Sequence, residues 1–261
     1  MAFEFDVITL LPGMLDAVTQ FGITGRAYKK NIYHLRTWNP RDYANNHYRK
    51  VDDAPYGGGA GMVMMPEPLD LAITDAKRCQ NVNTNTEETS VIYLSPQGKR
   101  IDHAKIIQLA SMNGLTMVCG RYEGVDERFI AQHVDEELSI GDYVISGGEL
   151  AAMVIIDAIV RQLPGALGDA ESANQDSLTD GLLEYPQYTR PEIYREQSVP
   201  GILLTGDHAR IEHWRLQQSL GVTWLKRPDL LIKKYPDGLP DREKSLLEEF
   251  KLAQKNQGSI T

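Results

Sequence analysis

Three times between residues 90 and 163 the chain repeats one plan: a short apolar run, a glycine-bearing turn and a helix-forming stretch. The first unit is residues 90–94, the turn Ser95-Pro96-Gln97-Gly98 and residues 102–112. The second is residues 115–119, the turn Gly120-Arg121-Tyr122-Glu123-Gly124 and residues 126–132. The third is residues 137–145, Ser146-Gly147-Gly148 and residues 149–163. Strands alternating with helices predict an α/β fold on a mostly parallel sheet, with right-handed crossovers. Ligands of such sheets bind beyond the carboxyl ends of the strands. Three glycine turns at one sheet edge therefore predict a pocket for a nucleoside-like ligand, since a residue without Cβ lets a ligand approach the backbone. After the third turn, residues 151–160 are apolar on nearly all sides, the mark of a helix packed inside protein.

The flanking segments complete the plan. Residues 3–10 predict a first strand and 32–38 a second, with short helices at 14–20 and 25–30. Residues 66–80 predict a helix with proline early, where the missing N–H costs nothing, and 81–89 an exposed polar loop. Residues 55–62 hold four glycines in five positions. Without a Gly-Lys-Ser/Thr ending they are not a phosphate-binding P-loop. After Pro164 the residues turn small and polar, which predicts a flexible linker. Further on, Asp207 is placed to cap a helix running to Leu220 with Ile211, Trp214 and Leu220 inward. Arg227-Pro228 opens another helix, and residues 242–255 form the last. The expected organisation is 1–164, a linker at 165–176, and a small helical domain at 177–261.

Hydrophobic residues make up 42% of the 261, enough for a sizeable core. The longest apolar stretch is broken by Asp157 and is too short to span a bilayer. Two cysteines without a CxxC spacing fit a reducing compartment, and residues 3–8 follow no basic leader. These features predict a soluble cytoplasmic protein with no membrane partner and no metal cluster. The net charge of −9 argues against a uniformly basic coat for nucleic acid. A local basic face still suffices to hold phosphates. Between residues 26 and 50 stand Arg26, Lys29, Lys30, Arg36, Arg41, Arg49 and Lys50 against one acid, Asp42. That inversion of sign reads either as a solvated surface run or as a phosphate-contacting patch. An acidic run follows in the linker region, from Asp169 to Glu184, with no Lys or Arg until Arg190.

With these residues laid out, the chain resembles the bacterial tRNA (guanine-N1)-methyltransferases, the TrmD family of the trefoil-knotted SPOUT class. The likeness runs through PYGGGAGMVMM at 55–65, LSPQG at 94–98, GRYEGVD at 120–126 and SIGDYVISGGEL at 139–150. It continues through DSLTDGLLE at 176–184, YTRP at 188–191 and HARIEHWR at 208–215. Val144-Ile145 stands where the family often has Val-Leu, and Leu178 where Phe is common; neither carries reactive chemistry. The resemblance implies a deep trefoil knot in the first domain, where spacing alone would suggest an unknotted sheet. It also implies a homodimer whose active sites are built from both subunits.

The activity so implied moves the methyl group of S-adenosylmethionine to guanine N1 at position 37, 3′ of the anticodon. That nitrogen carries a proton, which a general base must remove; the resemblance assigns this to Asp176. Charge then builds on guanine O6, where a guanidinium can stabilise it, and the resemblance assigns Arg161. Read alone, Asp176 is a solvated linker carboxylate and Arg161 a cation at a helix C-terminus. The donor is expected against Pro96, Gly98, Gly120, Tyr122, Glu123, Ser139, Ile140, Gly141, Asp142, Tyr143, Val144, Ile145, Gly147 and Gly148. Backbone groups of Ile140, Tyr143 and Ile145 would read the adenine edge. Glu123 would hold the methionine end or serve a Mg²⁺-linked role, and read alone it is an exposed turn carboxylate. Lys50, Arg190, His208, Arg210 and Arg215 are the candidates to grip the tRNA anticodon stem-loop. The other readings of these residues are a knotted methyltransferase for another RNA base or ribose, and a non-catalytic RNA-binding module on the same fold.

Overall fold

The computed structural model describes residues 2–84, 90–167 and 177–258. The chain divides into two compact units, Met1–Ala170 and Glu171–Thr261.

The first unit is a five-stranded, wholly parallel sheet in the order β2-β1-β6-β5-β7. The strands are β1 (Phe3–Ile8), β2 (Tyr33–Trp38), β5 (Ser90–Arg100), β6 (Gly114–Cys119) and β7 (Glu136–Ser139). A separate antiparallel pair is formed by β3 (Asp52–Asp53) and β4 (Val63–Met64). Parallel sheets are covered on both faces, and here the two apolar clusters are distinct. One joins Phe3, Phe5 and Val7 to α1 (Asp16–Gln20), α2 (Gly22–Lys29), α4 (His103–Ala110) and α6 (Glu149–Val160). The other packs Ile8, Val91, Tyr93 and Val118 under α3 (Pro66–Thr84) and α5 (Glu127–His133). Asp126 caps α5 by accepting the Arg128 amide, and Asp102 caps α4 by accepting the Lys105 amide.

All six residues of β1 are buried, Glu4 and Asp6 included. Their neighbours in register on β2 are His34 and Arg36. Arg36 donates to both Asp6 carboxylate oxygens, at 2.9 and 2.8 Å, and to Glu4. Trp38 Nε1 adds a bond to Asp6 at 2.7 Å, and His34 Nδ1 lies 2.8 Å from Glu4. Arg36 therefore belongs to an internal charge network and not to the phosphate-contacting patch in which its neighbours in sequence suggested it.

Two strand limits differ from expectation by six residues, for a local reason each. β7 ends at Ser139, six residues before the expected limit at Ile145. The Ser139 hydroxyl bonds both the amide and the carbonyl of Gly141, and the Tyr143 amide bonds the Gly141 carbonyl at 3.0 Å. The chain is thereby turned away from the sheet. β5 continues past Leu94 to Arg100, but Leu94 and Lys99 both face Leu138, so Ser95–Gly98 bulges out of the ladder. Helix α3 runs four residues past Gln80. The loop expected at 81–89 is thus helical to Thr84, and its remainder lies outside the described residues.

The second unit packs α7 (His208–Lys226), α8 (Pro228–Lys234) and α9 (Asp241–Gly258) around Leu182, Leu220, Leu231 and Leu246. Asp207 caps α7 through the Arg210 amide at 3.1 Å. The helix runs six residues beyond the expected end at Leu220. Gly221 lets α7 approach α9, because a Cβ there would lie 2.3 Å from the Phe250 ring. A short hairpin, β8 (Ile193–Tyr194) and β9 (Gln197–Ser198), turns through Arg195 and Glu196, both at positive φ. That is the combination of a type I′ turn. Among the described residues, no helix is long and apolar enough to cross a membrane.

Candidate functional site

Beyond the carboxyl ends of β5, β6 and β7 the three glycine turns enclose a cavity of about 220 Å³. The bulge after Leu94 supplies Ser95, Pro96 and Gln97, and the turn after β6 supplies Gly120 to Gly124. The segment between β7 and α6 supplies Ser139, Ile140, Gly141 and Tyr143 to Gly148. Leu94, Leu138, Ile140, Val144, Ile145 and Ala151 make an apolar wall. Among the described residues, the backbone of Val144 and Ile145 has no hydrogen-bond partner within the chain. A planar heterocycle with a donor–acceptor edge fits such a site: apolar walls for its faces, open amides and carbonyls for its edge.

Twelve of the fourteen expected donor-site residues line this cavity; Gly98 and Asp142 do not. Asp142 is exposed and pairs with Arg100 at 3.4 Å. Gly98 is needed for packing inside the sheet: a Cβ there would lie 2.4 Å from Glu137 C and Leu138 N on β7. Gly147 and Gly148 have a similar basis. A Cβ on Gly148 would meet Cys119 Cα at 2.7 Å, and one on Gly147 the Arg121 side chain at 2.3 Å. These glycines therefore serve chain-to-chain contact first. Gly98→Ala is expected to destabilise the first unit by about 1–3 kcal/mol, because backbone cannot retreat as a side chain would. Gly13→Ala, which meets nothing within 4 Å, should stay within about 0.5 kcal/mol of wild-type stability. Chemical unfolding of both variants makes the comparison.

Three polar residues in or behind the wall, Tyr93, Arg121 and Glu149, were not among the expected site residues, and the expected Glu123 joins them. Tyr93 lies within β5, and its hydroxyl sits where a Cβ on Gly120 would come within 2.8 Å. Burial raises its pKa, with Glu137 adding to the effect and a backbone bond to Val125 opposing it. Arg121 forms an ion pair with Glu149, which is buried at the first turn of α6. Glu123 lies against Gly61 of the second glycine-rich loop, and its amide donates to Met62 O at 2.9 Å. Among the described residues it is the one carboxylate in the lining. Among the described residues no three His, Cys, Asp or Glu side chains gather as a metal site, and a hard cation prefers six or more oxygens.

The remaining candidates lie elsewhere. Arg161 follows the last turn of α6, whose 12 residues lie between it and Gly148 and put the two about 20 Å apart along the helix. Asp176 lies outside the described residues. Lys50 pairs with Asp53 at 3.0 Å. In the second unit Arg190, His208 and Arg210 are exposed. Arg215 stacks over the Tyr185 ring at 4.9 Å and pairs with Glu212 at 2.6 Å.

The family model described as tRNA (Guanine-1)-methyltransferase TrmD matches residues 3–233. A tRNA (guanine-N(1)-)-methyltransferase of Nitrosomonas europaea is 72% identical over 251 residues, spanning 96% of this chain and 93% of its own length. That of Nitrosospira multiformis is 59% identical over 97% of this chain and 98% of its own, and that of Chromobacterium violaceum 53% over 96% and 97%. A match through most of both units, together with the three turns of its shared motifs meeting in one cavity, leads to one assignment: the chain belongs to the tRNA (guanine-1)-methyltransferase family.

Proposed function

We propose that this enzyme methylates N1 of guanosine 37 in tRNA, 3′ of the anticodon, with S-adenosylmethionine as donor. The observation that carries this reading is the cavity built from Ser95–Gln97, Gly120–Gly124, Ser139–Gly141 and Tyr143–Gly148, three stretches that each carry a motif of the family likeness. Its apolar wall and open backbone at Val144 and Ile145 suit an adenosyl group. When bound, the donor supplies a sulfonium-activated methyl group. Asp176 removes the N1 proton, which leaves a lone pair on that nitrogen for attack. Arg161 stabilises the negative charge that develops on O6.

Arg161 lies about 20 Å along α6 from the cavity-lining Gly148 of the same chain. Bringing both to one guanine calls for a second copy of the chain, in keeping with the shared active sites implied by the family. Leu150 and Val154, one turn apart on α6, are 46% and 54% exposed and offer an apolar face for that contact. Arg190, His208 and Arg210 are open to the anticodon stem-loop, with Lys50 and Arg215 joining once their acidic neighbours are displaced. A tRNA substrate places the work in the cytoplasm. The knot implied for the catalytic unit is part of the same reading.

The test is mass mapping of nucleosides after incubation of the protein with donor and unmodified tRNA. N1-methylguanosine at position 37 is the expected product. Methylation at a ribose or at another base would select the alternative enzyme, and no methylation by folded protein would leave the binding-module reading.

A further inference from the structure

We infer that Arg121, Glu149 and Thr9 form a positioning strut that holds the Ser146–Gly148 loop in the shape the methyl donor requires. The inference rests on the donor-site reading above. Arg121 ties three segments together. From the turn after β6 its Nε donates to Glu149 Oε1 at 3.2 Å, and its Nη2 lies 3.0 Å from Glu149 Oε2. Its Nη1 donates to the Ser146 carbonyl at 3.1 Å. Glu149 in turn accepts from Thr9 Oγ1 at 2.8 Å, which anchors the assembly to the end of β1. Gly147 lies directly against the Arg121 side chain.

Glu149 is 1% exposed and Thr9 is fully buried. Burying an ion pair costs desolvation that its attraction hardly offsets, and apolar residues of similar volume often serve stability as well or better. The pair's distinct contribution is therefore geometric. It fixes the Ser146–Gly147 peptide through the Ser146 carbonyl, one residue beyond Ile145, whose open backbone lines the cavity. Arg121 is committed to Glu149 and Ser146, so it is not a spare cation for a ligand carboxylate. It acts through the loop and is a positioning residue.

The test separates stability from positioning. Arg121→Met and Glu149→Leu each leave one charge or its partner groups buried without a match, and each should lower both unfolding temperature and affinity for S-adenosylhomocysteine. The double variant Arg121→Met/Glu149→Leu leaves no buried charge and should regain much of the unfolding temperature. It still lacks the bond to Ser146, so calorimetry should show affinity weaker by about tenfold or more. The donor KM should rise by a larger factor than kcat falls. A folded double variant with wild-type affinity would overturn the inference, as would a fall in kcat with KM unchanged. Should the double variant not fold, Arg121→Lys decides: it keeps the contact to Glu149 but cannot also reach Ser146, and wild-type affinity would again overturn the strut. Wild-type protein that binds no S-adenosylhomocysteine would instead sink the donor-site reading itself.

Discussion

Asp176→Asn should slow single-turnover methyl transfer by about 10²–10⁴-fold, the usual cost of losing a positioned general base. The substitution preserves side-chain shape and removes the basic lone pair. With saturating donor and tRNA the measurement reports the chemical step alone. Donor affinity should barely change, because the cavity is built from the three turns and from α6. Affinity for tRNA should also change little, since neutralising one acid removes no phosphate contact. Raising the pH should partly restore the rate, as solvent takes over the proton that Asp176 no longer accepts. Arg161→Ala should also be slow but show little rescue by pH, because stabilising charge on O6 is a separate task from taking the proton. A near-wild-type rate for the Asn variant would rule out Asp176 as the base and turn attention to Glu123 or Asp180.

The repeated strand, glycine turn and helix made the sheet and its ligand edge legible, because buried parallel strands leave compact apolar runs. The same rule misled at residues 140–145. Ile140, Tyr143, Val144 and Ile145 look like strand, yet they form the cavity wall. A surface that receives a flat apolar ligand has the composition of one that receives another strand. Ser139 and Gly141 set the turn through side-chain and backbone bonds, which a hydropathy pattern does not register. Gly98 and Gly148 admit neighbouring backbone, a contact between segments far apart in sequence that the spacing of glycine turns does not register. Arg121 and Glu149 stand inside the shared motifs, but only the fold brings them together, 28 residues apart in the chain. The family likeness is what singled out Asp176 and Arg161, since neither differs in residue type or sequence neighbours from an ordinary linker acid or helix-end cation.

The basic run at 26–50 shows the same limit at one residue with a large energetic effect. Arg36 was pooled with its sequence neighbours, whereas parallel pairing of β1 and β2 sets it beside Asp6. Asp6 is 0% exposed and Glu4 5%. Burial is the largest influence on Asp6 and raises its pKa, with Glu4 adding to the rise and the bonds from Arg36 and Trp38 opposing it. Arg36→Met keeps much of the apolar stem but leaves two buried carboxylates facing each other without a guanidinium. Breaking a buried ion pair from one side typically costs about 3–5 kcal/mol, which for a unit of this size lowers the unfolding temperature by roughly 6–20 °C. Trp38→Phe removes one hydrogen bond to Asp6 and should cost about 1–2 kcal/mol. The pH dependence fixes the cause. A carboxyl group whose folded pKa lies above its unfolded value favours the folded state most at low pH, and that contribution is lost as pH rises through the folded pKa. Without Arg36 the upward shift grows, so the deficit of Arg36→Met relative to wild type should shrink as the pH is lowered from 8 toward 5. Denaturant unfolding across that range measures it directly. A deficit that stayed constant with pH would mean that Arg36 stabilises β1 and β2 by packing and not by its charge.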